Sequence, residues 1–313
     1  VNEPWIVSLL PSATEIVFAL GLGERLAGVT HECDYPPQAR ALPHLTKSAL
    51  PPAAAPAEID RHVRASLHQG SSLYALDAAL LERLAPDLII TQELCAVCAV
   101  SYDIVARAAK RLRGDPRIVS LEPSSLEDVY ANILTVAELT ARAEAGAALV
   151  AGLRARAAAL AARVAGRPRF RTLVLEWTDP PMSGGHWTPG LVELAGGEAL
   201  LANPGANSRV LGWDEISAAD PDVILVAPCG FDLSATLAAI ARLGENDVWR
   251  SLRAVATSRA YAIDGNAYVN RPGPRLIDSA EIFASALYDD RFGAASADPN
   301  ALRRIEPAAT ATT

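Results

Sequence analysis

The chain has 313 residues, half of them apolar, and a formal charge of -8 at pH 7. The net negative charge argues against a nucleic-acid partner, because phosphate binding draws most of its affinity from clustered Lys and Arg, and Lys47 and Lys110 are the only lysines. The length exceeds what one ordinary hydrophobic core takes up and predicts two α/β domains, while apolar runs such as residues 223–231 fall short of the ~20 residues of a membrane span.

Residues 5–10 form a short apolar strand ended by Pro11, and Ser12 with Glu15 has capping-box spacing for a helix that stops at Gly21 and Gly23. Residues 26–30 are the next strand. They run out into His31-Glu32-Cys33-Asp34-Tyr35-Pro36-Pro37, a polar loop that its two prolines keep extended. Helices are predicted over 58–68 and 77–84. Residues 86–91 then read as a buried strand that delivers Cys95 and Cys98 a few residues past its end.

After a strand at 118–121, Ser124 and Ser125 followed by Glu127 and Asp128 mark a helix start. From there to Val164 the chain is mostly Ala, Leu, Glu and Arg without proline, and Gly166 and Pro168 stop it. One helix over 124–166 makes a strut on the order of 60 Å long between two lobes; two shorter helices broken near Gly146 or Gly152 are the alternative.

The strand-and-helix pattern then restarts. Residues 173–177 form a strand, and 178–190 a loop carrying His186 and Trp187. Residues 221–229 echo 86–95, with a proline and aspartate before a buried strand and a cysteine past its end, a weak internal repeat. A strand at 259–264, a loop through Arg271 and a helix from Leu276 to about Tyr288 complete the lobe, and residues from 294 onward read as a frayed tail. The expected divisions are an N-terminal α/β lobe (1–123), the connecting helix (124–166), a C-terminal α/β lobe (167–292) and a flexible tail (293–313).

Strands alternating with helices imply mainly parallel sheets in two Rossmann-like lobes. Ligands of such sheets bind beyond the carboxyl ends of the strands, so a cleft between the lobes is the expected site. The chemically distinctive residues fall in those loops: Pro11, Ser12, His31, Glu32, Cys33, Cys95, Cys98 and Glu122, then Trp177, His186, Trp187, Cys229, Phe231 and Arg271. Two tryptophans and a phenylalanine suit a flat ligand. Ser12 has no histidine and acid at a known spacing, which argues against serine-nucleophile catalysis.

Cys33, Cys95, Cys98 and Cys229 admit three readings: small apolar loop residues, a four-thiolate site for zinc or an iron–sulfur cluster, or a redox dithiol. His31 and His186 either join such a ligand set or hydrogen-bond to the backbone.

The motifs Ser8-Leu9-Leu10-Pro11-Ser12-Ala13-Thr14-Glu15, Gly28-Val29-Thr30-His31-Glu32-Cys33-Asp34-Tyr35-Pro36 and Arg271-Pro272-Gly273-Pro274-Arg275 resemble those of the cobalamin-type substrate-binding proteins of ABC transporters. The resemblance covers nearly the whole chain. It implies two lobes on one long helix with little hinge motion, a corrinoid or iron chelate as ligand, and ABC transporter membrane subunits as partners. The expected ligand contacts are Pro11, Ser12, His31, Glu32, Trp177, His186, Trp187, Phe231 and Arg271, with the four cysteines as metal ligands. The rival reading is a cytoplasmic metal- or iron–sulfur-binding redox protein or enzyme built around those thiols. With no secretion signal visible, the sequence as given reads as cytoplasmic, and as periplasmic or extracellular if a signal peptide has been removed.

Overall fold

The computed structural model describes residues 3–48, 54–68, 74–92, 105, 108 and 115–306. They group into two compact units. The first draws on Val1–Ala54, Glu58–Pro123 and Glu127–Gly152; the second on Ala55–Ala57, Ser124–Leu126 and Leu153–Thr313.

The sheet of the first unit is wholly parallel. Its strands β1 (Ile6–Ser8), β2 (Leu26–Gly28), β5 (Leu88–Thr91) and β6 (Arg117–Ser120) lie in the order β2-β1-β5-β6. Val7, Leu9, Leu45, Leu81 and Ile89 pack into its core and are fully buried. Burying an aliphatic side chain in this way stabilises the fold by about 1.5–3 kcal/mol. Beside this sheet, β3 (Thr46–Ser48) and β4 (Tyr74–Leu76) form an antiparallel pair. The helix after β1 spans Pro11–Ala19. The expected capping box at Ser12 and Glu15 is not what starts it: proline occupies the first turn, no side chain caps the end, and both residues are buried within the helix. Proline lacks the N–H that a cap would satisfy and holds φ near the helical value.

The sheet of the second unit is mixed. Here β7 (Arg171–Thr178), β10 (Val223–Val226) and β11 (Ala260–Ile263) are parallel neighbours, and β8 (Pro181–Ser183) and β12 (Leu302–Arg304) run antiparallel at the ends of the order β12-β11-β10-β7-β8; β9 (Glu198–Ala199) pairs with the start of β7. Leu173, Leu175, Ile224, Val226 and Ala262 fill the core together with Ile216 and Trp249. Two expectations change. Part of the stretch read as a loop over 178–190 is strand β8, which folds back on β7 after a turn at Asp179 and Pro180, and the helix Thr188–Leu194 follows it. Part of the tail is also structured: β12 pairs with β11, and Arg304 forms an ion pair with Asp289 and lies 5.4 Å from the Tyr261 ring centre.

The strut is two helices, Leu126–Leu139 and Ala143–Val164. The break is at neither Gly146 nor Gly152. Ala141 adopts a left-handed φ of 56°, Arg142 N–H donates to the Ala137 carbonyl (2.7 Å) and Ala141 N–H to that of Glu138 (3.3 Å). This is the Schellman pattern that closes a helix by satisfying its last carbonyls. Gly146 has a different role: a Cβ there would collide with the Ala137 Cβ, so its absence lets the two helices touch. The second helix is the long element in which the chain leaves the first unit and enters the second. By length and hydropathy it is sufficient to cross a membrane, although no uninterrupted apolar run in it has that length. Half of it is alanine, however, Arg154, Arg156 and Arg163 interrupt it, and Leu153, Leu160 and Val164 are buried against protein.

Ala141 tests the break directly. A left-handed alanine costs about 1–2 kcal/mol, and glycine gives back part of this in chain entropy. Ala141→Gly is expected to stabilise by up to about 1 kcal/mol in thermal unfolding. A loss of about 1 kcal/mol, as for glycine inside a helix, would show that residue 141 is helical in solution.

Candidate functional site

In the first unit the loops beyond β1 and β2 hold a chain of hydroxyls around Cys33. Thr14 Oγ1 donates to Ser8 Oγ (2.8 Å), Ser8 Oγ donates to the Leu10 carbonyl (3.0 Å), and Cys33 Sγ lies 3.1 Å from Thr14 Oγ1 and 3.2 Å from Thr30 Oγ1. Thr14 Oγ1 also lies 3.4 Å from the Leu10 carbonyl, so its single proton is shared among Ser8, Leu10 and the sulfur. Cys33 is buried. Pro11 and Ser12 stand in the first turn of the adjoining helix, with Ser12 buried.

Next to this chain, His31 Nδ1 lies 2.7 Å from Thr46 Oγ1, which also accepts from the His31 backbone N–H (3.1 Å). The Tyr74 ring packs against the imidazole at 5.4 Å, and its hydroxyl donates to Glu32 Oε1 (3.1 Å). Burial holds the His31 pKa below its ordinary value; the Glu32 charge opposes this and the His44 charge adds to it.

In the second unit the organising group is Glu176, near the end of β7. Its Oε1 accepts from Ser208 Oγ (2.8 Å) and its Oε2 from the Gly185 N–H (3.1 Å), which ties together the segments that carry His186 and Asn207. His186 Nε2 lies 2.9 Å from Asn207 Oδ1, and the backbones cross-link at His186 N–H to the Ala206 carbonyl (2.7 Å). A Cβ on Gly185 would collide with the Ser208 backbone nitrogen, so only glycine permits this approach. Burial raises the Glu176 pKa, against smaller lowering by Ser208, the Gly185 N–H and His186.

The aromatic residues pair off. His186 stacks on Trp187 at 5.5 Å, the Trp187 indole N–H donates to the Val269 carbonyl (2.8 Å), and Trp177 meets Phe231 edge to face at 5.3 Å. Arg271 is buried and donates to Asn266 Oδ1 (2.9 Å), and the Asn266 N–H donates to the Phe231 carbonyl (3.0 Å). Gly265 makes this link possible, since a Cβ there would collide with the Pro228 carbonyl oxygen. Cys229 is half-buried, its N–H bonded to the Glu176 carbonyl (3.1 Å).

Of the expected site residues, the second unit brings Trp177, Phe231 and Arg271 into one connected set and His186 and Trp187 into another. The first gathers His31, Glu32 and Cys33. Cys95 and Cys98 lie outside the described residues, and among the described residues no group of three or more His, Cys, Asp or Glu is placed to hold a metal ion. Sequence reasoning misses Thr46, Tyr74, Glu176, Asn207, Ser208 and Asn266. Glu176 alone carries a signal, as a carboxylate inside an apolar strand.

Each α/β unit carries its rings, hydroxyls or buried guanidinium at or beyond the ends of its parallel strands. The periplasmic binding protein family matches residues 6–267, and the chain belongs to that family. It is 25% identical over 290 residues to the vitamin B12-binding protein of Vibrio cholerae, across 88% of this chain and 86% of that one. It is likewise 25% identical over 293 residues to YvrC of Bacillus subtilis, an uncharacterized ABC transporter substrate-binding lipoprotein, across 92% and 81%. Its fold is similar to that of the periplasmic vitamin B12 binding protein BtuF of Vibrio cholerae (TM-score 0.66, 23% identity, 91% and 97% covered). The periplasmic heme-binding protein RhuT from Roseiflexus sp. RS-1 is similar too (TM-score 0.68, 25% identity, 92% and 99% covered).

Two outcomes follow from these networks. Because the folded Glu176 pKa is raised, its stabilising contribution is complete below the ordinary glutamate value and is lost as pH rises through the raised one. Glu176→Gln carries no charge, accepts from the Gly185 N–H through its one carbonyl oxygen and donates its amide N–H to a reoriented Ser208 hydroxyl, so its melting temperature should gain on the wild type as pH rises; parallel curves for the two proteins would contradict the assignment. Cys33→Ser should preserve the hydroxyl chain, whereas Cys33→Ala, which leaves buried hydroxyls without that partner, should cost about 1–3 kcal/mol in denaturant unfolding. Equal stability of the two variants would show that the chain does not matter to the fold.

Proposed function

We propose that the chain is the substrate-binding component of an ABC transporter and that its cargo is a corrinoid or another metal-bearing planar molecule. Family membership over residues 6–267, with a vitamin B12-binding relative aligned along most of the chain, carries this reading. The site chemistry supports it. The Trp177–Phe231 and His186–Trp187 pairs offer apolar faces with polar tips, suited to a broad flat ligand with polar substituents.

Heme is the second member of the same ligand class. A periplasmic heme-binding protein, BhuT, seen in complex with two hemes, shares the fold at a TM-score of 0.69 and 22% identity, with 92% of this chain and 99% of that one covered. Membrane subunits of a transporter are the partner that the reading implies. The relatives, a periplasmic protein and a lipoprotein, support a periplasmic or extracellular location over the cytoplasmic alternative.

Equilibrium titration with cobalamin, cobinamide and hemin tests the proposal. Saturable binding of at least one is expected, weakened in Trp177→Ala and Trp187→Ala. No binding of any up to about 1 mM, a free energy no better than about -4 kcal/mol, would reject it. Binding of hemin alone would move the assignment from corrinoid to heme.

A further inference from the structure

His31 is held in a way that fixes where its proton sits. Thr46 is buried, and its hydroxyl oxygen accepts the His31 backbone N–H at 3.1 Å. A hydroxyl has one proton and needs an acceptor for it when buried. Among the described residues the acceptor within reach is His31 Nδ1, at 2.7 Å. Thr46 Oγ1 therefore accepts a hydrogen bond from the His31 backbone N–H and donates one to the Nδ1 lone pair, which leaves the single proton of a neutral imidazole on Nε2. The ring is pinned from its face by Tyr74, whose own hydroxyl is committed to Glu32. Among the described residues Nε2 meets no acceptor, and the side chain is half-buried on the loop leaving β2, at the carboxyl edge where a parallel sheet binds ligands.

We propose that His31 meets the cargo as a neutral hydrogen-bond donor through Nε2–H, and so recognises an oxygen or nitrogen acceptor on the ligand's periphery rather than its metal atom. This deepens the function proposed above and rests on it for the identity of the cargo. The acceptor chemistry is that of a carboxamide, carboxylate or phosphate oxygen, groups that a substituted tetrapyrrole carries around its rim. Metal coordination would require Nε2 to give up its proton and Nδ1 to take one. The Thr46 hydroxyl would then have to turn away from the acceptor it now has. The lowered pKa of the ring agrees with a neutral imidazole near pH 7.

Two measurements decide it. In the ligand-free protein, nitrogen-15 chemical shifts of the histidine rings, assigned by the signal lost in His31→Gln, should show Nε2 protonated and Nδ1 bare near pH 7. Thr46→Val should shift the tautomer balance. The opposite tautomer in the wild type would overturn the proposal whether or not any ligand binds. In the second measurement, aquocobalamin, whose axial water exchanges for imidazole with a change in visible absorption, and hemin are titrated into wild type, His31→Ala and His31→Gln. The bound spectra should be alike. The affinity of His31→Ala should fall roughly tenfold, as for loss of one hydrogen bond, while His31→Gln, which keeps an N–H at similar reach, should stay within about threefold of wild type. A wild-type spectrum of imidazole coordination that His31→Ala abolishes, or equal affinities of wild type and a folded His31→Ala, would overturn it. If neither probe binds the wild type, the cargo assignment fails, and the tautomer measurement alone decides the state of His31.

Discussion

Strands buried along their length leave polar side chains no place except the strand ends, and this constraint arranges the rest of the molecule. In β5 and β10 every residue is buried, and β1 is buried throughout. A charge within such a strand would have to be desolvated on both faces of the sheet. The hydroxyls around Cys33, the His31 and His186 rings, the Arg271 guanidinium and the Trp177 and Trp187 indoles accordingly lie at or beyond the strand ends. Chemistry is gathered there because the interior cannot tolerate it.

What the interior excludes, the loops must still satisfy. Each unit does so by letting one polar side chain answer two groups. Thr46 answers both the backbone and the ring of His31, and Glu176 ties Gly185 to Ser208. A single net hydrogen bond contributes only about 1 kcal/mol, while an orphaned buried partner costs more. The stiffness of these loops thus comes less from the bonds made than from the penalty for breaking them. That is the condition under which a binding surface keeps its shape without a ligand.

The legibility of the sequence follows the same line. The final helix, Leu276–Tyr288, and the central parallel strands β1, β5, β7, β10 and β11 are where the apolar runs put them, because burial dictates residue type at each position. The interruption at Ala141 is hidden, since a left-handed turn usually advertises itself by glycine and here alanine takes it. The two glycines that do occur in that stretch point to the wrong place. Strands β8 and β12 are invisible for another reason: three-residue edge strands carry no periodicity, and proline or arginine in them reads as loop. The site is half legible. Aromatic, histidine and arginine residues declare themselves in a loop, but their positioning partners, Thr46, Ser208 and Asn266, are ordinary polar residues that gain meaning only from what lies beside them.

The two outer strands of the second sheet have a bearing on how this protein behaves in company. An exposed strand edge is a template on which another chain can add itself. At β8 the chain covers its own edge: the Ser183 N–H donates to the Arg209 carbonyl (3.0 Å) and the Leu211 N–H to the Pro181 carbonyl (2.8 Å). At the other end, β12 is only three residues long and carries two exposed arginines, one of which, Arg304, is held in an ion pair with Asp289. One edge is therefore occupied before a neighbour arrives, and the other offers too short and too charged a ladder for lasting intermolecular pairing. The ends of the sheet are written to remain ends.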